Sequence, residues 1–176
     1  MIESRYWKED LFEYVKKFRP VPNPPRYSEK RQVNFEKQVV ISLFMVRKLS
    51  ESHKLSSKTL KKQFEVYSYL CIKPVNNRNF SNIADLYDYS SEIKQTKNVQ
   101  FISNQLIHGQ AMYAYRDETR NWHGVFTCSD FERNKYIYRI PTSTIIDILE
   151  TAANDYPEMM SYRFCNKKND YIVETN

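Results

Sequence analysis

The stretch GQAMYAYRDETRNWHGVFTCSDFERNKYIYRIPTSTIIDILETAAN, residues 109–154, decides the fold. It holds three runs rich in β-branched and aromatic residues, Gln110–Tyr115, Trp122–Cys128 and Lys135–Ile140. Polar turns at Asp117–Asn121 and Ser129–Asn134 separate them. That composition favours strands. Connections this short join antiparallel neighbours, because a parallel crossover needs about a dozen residues or more. Thr142, just after Pro141, then opens a helix with Ile145, Ile146, Leu149 and Ala152/Ala153 on its buried side, stopped at Asn154-Asp155-Tyr156-Pro157. The expectation is an α+β fold in which an antiparallel meander over 110–140 packs against a helix at 142–154.

Upstream, Ser28 is placed to cap a long helix running to about Ser52. Its apolar residues Val33, Val39, Val40, Leu43, Phe44, Val46 and Leu49 cover more than one face, which predicts the central, buried helix. Lys54–Lys62 reads as a polar connection with at most one helical turn, and Gln63–Ile72 as a strand ended by Pro74 and Asn76-Asn77. Ser81 is read as the cap of a short helix through Tyr89. A further helix is expected from about Thr96 to His108, with Gly109 as its left-handed C-cap. Residues 160–174 read as a final hairpin turning at 166–170.

Residues 1–25 form an N-terminal unit in this reading. An amphipathic helix at 4–18, capped by Ser4, carries Trp7, Leu11, Tyr14/Val15 and Phe18 on one face. The prolines of Arg19–Pro25 then end it and make an extended strap. Residues 26–176 are read as a single α+β domain.

A chain of 176 residues with 41% hydrophobic and 15% aromatic content is a folded globule rather than a disordered segment. The longest apolar run, Val39–Val46, is too short to cross a bilayer, and the N-terminus lacks the pattern of a signal peptide. The cytoplasm is the default expectation, with no membrane partner. Cys71, Cys128 and Cys165 form no CxxC pair, and His53, His108 and His123 supply no close pair of zinc ligands, so reduced thiols and no metal are expected. With two glycines, Gly109 and Gly124, the chain cannot build a GxGxxG or GxxxxGK[ST] phosphate loop, and no nucleotide or other cofactor is expected. The G-x-S-x-G nucleophile elbow is also missing.

The net charge of +6 is unevenly spread. Residues 1–63 hold 15 Lys/Arg against 7 Asp/Glu, and residues 64–176 hold 12 against 14. A basic first third suits RNA, another nucleic acid or another polyanion, or is a solvated basic face that keeps the protein in solution. On a helix over 96–108, Asn104 and His108 are four apart and share a face. An amide and an imidazole so placed can hold a phosphodiester and move a proton. They can also do no more than finish a helix end, the imidazole interacting with the last turn and the amide bonding it.

The segment Ser103-Asn104-Gln105-Leu106-Ile107-His108-Gly109 is similar to the RNase motif of HEPN (higher-eukaryote and prokaryote nucleotide-binding) domains. There an arginine, often followed by asparagine, precedes a histidine near a helix end. HEPN domains are small helical bundles, often dimeric, and many are metal-independent ribonucleases of toxin or phage-defence systems. The resemblance implies catalytic roles for Asn104 and His108 and a homodimer completing the site. Ser103 stands where the motif has its arginine. Arginine-to-histidine spacings recur at Arg47/His53, at the end of the long helix, and at Arg116/His123, around a turn. The longer pattern NQLIHG, CSDFERNKYIYRIP and NDYP is similar to a group of bacterial proteins of unassigned function.

Arg47, Lys48, Arg133 and Lys135 are the candidate nucleic-acid contacts. In the polar turn Asp130-x-x-Arg133-Asn134-Lys135, an Asp130–Arg133 pair is expected to stabilise the turn. Two functions of different class follow. One is a nucleic-acid-associated, HEPN-like module, a ribonuclease if it is an enzyme. The other is a non-enzymatic protein-interaction or accessory subunit, motivated by the missing motif arginine and the apolar N-terminal helix.

Overall fold

The computed structural model describes residues 3–167 and 169–176. The elements are α1 (Arg5–Phe18), α2 (Glu29–Glu51), α3 (Ser57–Lys61), β1 (Gln63–Leu70), a 3-10 turn at Ile83–Asp85, β2 (Ile93–Asn98), α4 (Val99–Ile107), β3 (Ala111–Arg116), β4 (Trp122–Cys128), β5 (Tyr136–Pro141), α5 (Thr142–Asn154), β6 (Met160–Cys165) and β7 (Asp170–Thr175). Five strands form one antiparallel sheet in the order β2-β1-β5-β4-β3. The expected meander is its β5-β4-β3 half. The expected C-terminal hairpin is β6–β7, which pairs separately, and Lys168 of its turn lies outside the described residues.

Strand periodicity sorts the sheet into two faces. Phe64 and Val66 of β1, Tyr138 and Ile140 of β5 and Val125 of β4 point into a core built with α1, α2, α4 and α5. On the other face the 71–90 loop covers Tyr69, Ile137 and Cys128 with Val75, Leu86 and Tyr87. The N-terminal helix is part of the main core: Leu11, Val15 and Phe18 are buried with Leu149, Ala152 and Ala153 of α5. Lys8 is fully buried as well, its ammonium bonded to the Asp155 carbonyl and 3.9 Å from the Tyr156 ring centroid. No described helix is long and apolar enough to cross a membrane.

Several local expectations are corrected. The helix expected from Thr96 begins at Val99, capped by the Asn98 side chain, and Ile93–Asn98 before it is an edge strand on β1. The sequence IKQTKN hides this strand, because an edge strand tolerates lysine on both sides and needs no apolar alternation. The helix expected from Ser81 shrinks to one 3-10 turn, because its backbone is drawn to β1: Ile72 N donates to Leu86 O at 2.9 Å and Asp88 N to Leu70 O at 2.9 Å. Ser28 does accept from Arg31 N, but the Ser4 side chain makes no cap bond. The long helix is buried on one side only, with Val33 52%, Ile41 38% and Phe44 42% exposed.

Gly109 is not a left-handed cap, since no glycine has a positive φ and His108 itself ends the helix. Its need for glycine is steric. A Cβ there would stand 2.6 Å from both Cys128 O and Gln105 O. The end of α4 therefore lies directly on β4, and this contact positions the site.

Candidate functional site

Two helices bring the site together. α4 packs across the second half of α2, with Ile102 and Leu106 in the same core as Val39, Leu43, Val46 and Leu49. Burying those rows turns the intervening polar positions outward toward each other. Arg47 of α2 meets Asn104 and His108 of α4. Its Nη1 donates to Asn104 Oδ1 at 2.9 Å and lies 3.1 Å from His108 Nε2.

Arginine has no acceptor atom, so this second contact is a hydrogen bond only when His108 Nε2 carries a lone pair and the ring proton sits on Nδ1. In that tautomer the Nε2 lone pair faces the Arg47 guanidinium. His108 is exposed, Asn104 is half-buried, and the Arg47 side chain is 24% exposed. Ser103, by contrast, is fully buried and its hydroxyl has no partner among the described residues. An arginine at that position would point into the core; here the cation comes from the neighbouring helix.

Glu51 completes the cluster. It accepts from Arg47 Nε at 2.8 Å and pairs with Lys48 Nζ at 2.7 Å. The bond from Lys48, then that from Arg47, holds its carboxyl below the ordinary 4.5. At neutral pH it is therefore an anion occupying the two cations. Both helices end near here, and their free carbonyls add negative potential, so affinity for a phosphate has to come from Arg47 and Lys48.

His108 and Asn104 form one side of an open cleft of ≈ 810 Å³, faced by Gly109, Ser129, Asp130, Phe131 and Glu132. The turn is tied to the helix end by Asp130 N to His108 O at 3.1 Å and by Ser129 N to Gln105 Oε1 at 2.9 Å. Phe131 stands in this cleft 81% exposed, with the Lys135 ammonium 4.5 Å from its ring centroid. An aromatic ring so open beside a cation is a surface on which an unpaired base can stack.

Of the residues singled out in the sequence, the structure joins Arg47, Asn104 and His108 and leaves Lys48 one turn-neighbour away on Glu51. It does not bring Arg133 or Lys135 to the imidazole. Arg133 Nη1 bonds Gln110 Oε1 at 3.0 Å and Asp130 Oδ1 at 3.3 Å, the turn pair expected from the sequence, and Lys135 pairs with Glu132 at 3.1 Å. His53, the spacing partner of Arg47, adopts φ 56 just beyond α2 and makes no side-chain bond among the described residues. Sequence reading missed Glu51 and Phe131. Both left a trace: Glu51 stands four residues after Arg47, and Phe131 is the one apolar residue in a polar turn.

Other chemistry finds less support. All three cysteines are free, and burial pushes the Cys128 and Cys71 thiols up, away from the thiolate a nucleophile needs. Among the described residues no three His, Cys, Asp or Glu side chains are grouped to hold a metal. No protein-family model matches the chain, and no curated protein or solved structure matches it.

Proposed function

We propose that the protein is a nucleic-acid-associated module that binds single-stranded RNA across the cleft and cleaves it at the Arg47–Asn104–His108 cluster. The observation that carries this reading is the position of Arg47 Nη1, within 3.1 Å of both Asn104 Oδ1 and His108 Nε2. It supplies, from a second helix, the cation that the α4 segment lacks beside its HEPN-like asparagine and histidine. The likeness is local: the five-stranded sheet is not part of a small helical bundle. A role in bacterial toxin or phage defence belongs to this proposal through that resemblance alone.

In the proposed step, a phosphodiester displaces Glu51 and takes the Arg47 guanidinium, whose planar fork matches two phosphate oxygens. His108 Nε2, released from Arg47, accepts the proton of the ribose 2′-hydroxyl. That oxygen attacks phosphorus, and the bond from phosphorus to the 5′-oxygen breaks. The leaving oxygen takes a proton from solvent, a 2′,3′-cyclic phosphate remains, and His108 returns its proton to solvent. Asn104 holds the guanidinium in register with the imidazole.

Fluorescence anisotropy with a labelled single-stranded RNA tests the binding half. Arg47→Ala is expected to weaken binding about tenfold or more, the loss of a charge-assisted bond. Glu51→Gln is expected to strengthen it, because a competing carboxylate is removed. Affinity should fall steeply as salt rises. If neither RNA nor DNA binds at low salt, the reading fails.

A second reading, a protein-interaction subunit, is favoured by the β6–β7 hairpin, where Tyr162, Phe164 and Tyr171 are 63%, 49% and 59% exposed. α1, whose apolar face motivates an interaction subunit in the sequence, lies on its own α5. Absence of nucleic-acid binding together with self-association in light scattering would favour this reading.

A further inference from the structure

At the other pole of α2 the proline strap closes over a second pocket, of ≈ 280 Å³. Arg19, Arg26, Arg31, Arg116, Arg120 and Lys17 line it, and no Asp or Glu does. Charges of one sign repel, only weakly where solvent screens them, and an anion entering the pocket would relieve that repulsion. Only Arg19 has an ion-pair partner among the described residues, Glu150 at 2.8 Å, outside the pocket lining. Here the basic excess of the first third of the chain is joined by two arginines of the β3–β4 hairpin.

The pocket is built rather than incidental. Arg116 lies over the Trp122 indole with Cζ 5.2 Å from the ring centroid, and Trp122 is in turn stacked on Phe35 at 5.1 Å. Its Nη2 donates to Pro25 O at 2.9 Å, while its Nε is buried with no partner among the described residues. A buried donor without an acceptor is costly and calls for one. Arg120 is held in the left-handed region at φ 69, a conformation arginine rarely adopts. The strap is latched by Asn121, whose Oδ1 accepts from Val21 N at 2.9 Å and whose Nδ2 donates to Val21 O at 3.2 Å. Fixed aromatic walls, a tethered roof and an orphaned guanidinium donor describe a preorganised anion site.

We infer that this pocket binds a phosphate group, borne by a small molecule or by the end of a nucleic-acid strand. Five arginines lining one small pocket suit the three peripheral oxygens and double charge of a phosphate monoester better than a carboxylate. Arg31 and Arg47 are 16 positions apart on α2, about 24 Å along its axis, so the pocket is separate from the cleft.

The test uses the whole chain, wild type and an Arg31→Gln/Arg120→Gln variant. Both side chains are exposed, and a melting temperature of the free variant no lower than the wild type's confirms that it folds. The probes are inorganic phosphate, followed by thermal shift, and a DNA oligonucleotide with either a 5′-phosphate or a 5′-hydroxyl, followed by anisotropy. A preference of at least tenfold for the 5′-phosphate, lost in the variant, assigns the pocket to a strand end. Thermal stabilisation by phosphate that the variant lacks, without an end preference, assigns it to a small phosphorylated molecule. No response to either probe, or responses undiminished in the variant, overturns the inference. Failure here leaves the cleft untouched, because Arg47 and His108 are unaltered in both proteins.

Discussion

His108→Ala is expected to remove RNA cleavage, by about 10²–10⁴-fold, the usual contribution of a general base. Stability is expected to stay within about 0.5 kcal/mol, as for other exposed substitutions. The two halves of this result come from different atoms. The imidazole is exposed and its one hydrogen-bond partner among the described residues is the Arg47 guanidinium, so its loss orphans no buried group. The structural duty of residue 108 is carried by its backbone: its N donates to Asn104 O and its O accepts from Asp130 N, and alanine keeps both. A histidine that merely finished the helix end would give the reverse pattern, a lower melting temperature and no activity to lose.

Gly109→Ala is expected to cost about 1–3 kcal/mol, the range for overpacking a tight contact, and to lower the melting temperature by about 2–4 °C per kcal/mol in a chain of this size. The new methyl would meet two backbone oxygens, Cys128 O and Gln105 O, each at 2.6 Å, and neither can swing aside as a flexible side chain would. Relief of the Cys128 contact requires the end of α4 to lift from β4, and relief of the Gln105 contact requires residue 109 to turn away from its own helix. The lift carries Asn104 and His108 away from Arg47, so cleavage is expected to fall along with stability. Gly109→Asn separates this account from a left-handed cap. Asparagine tolerates positive φ and would be the milder change at a cap, whereas against β4 its greater bulk makes it the worse one.

The elements that were legible in the sequence were those whose patterns are set by burial on a known period. The meander strands, α5 and the long helix all alternate or repeat because one side faces a shared core. Strand β2 was illegible because an edge strand is paired on one side only and half-wet, leaving IKQTKN with no apolar alternation to read. The turn at Ile83–Asp85 was misread because its outcome depends on long-range backbone bonds to Leu70 and Ile72, which no local window contains. The candidate site was half legible. Asn104 and His108 share a face by spacing alone, but their partner lies 57 and 61 residues away, and only the packing of α2 on α4 selects Arg47 over Arg133. The arginine pocket was illegible for the same reason, since Arg31 and Arg116 are far apart in the chain and line one pocket only in the fold.

One measurement reaches the central claim directly: cleavage of a labelled DNA strand carrying a single internal ribonucleotide. The proposed chemistry uses the 2′-hydroxyl as nucleophile and Arg47, Asn104 and His108 as its only protein groups. Wild-type protein is therefore predicted to cut once, immediately 3′ to the ribonucleotide, leaving a 2′,3′-cyclic phosphate, with or without a chelator. The all-DNA strand should stay intact, and Arg47→Ala and His108→Ala should each remove the cut. An uncut chimeric strand, or cutting that persists in His108→Ala, would contradict the account.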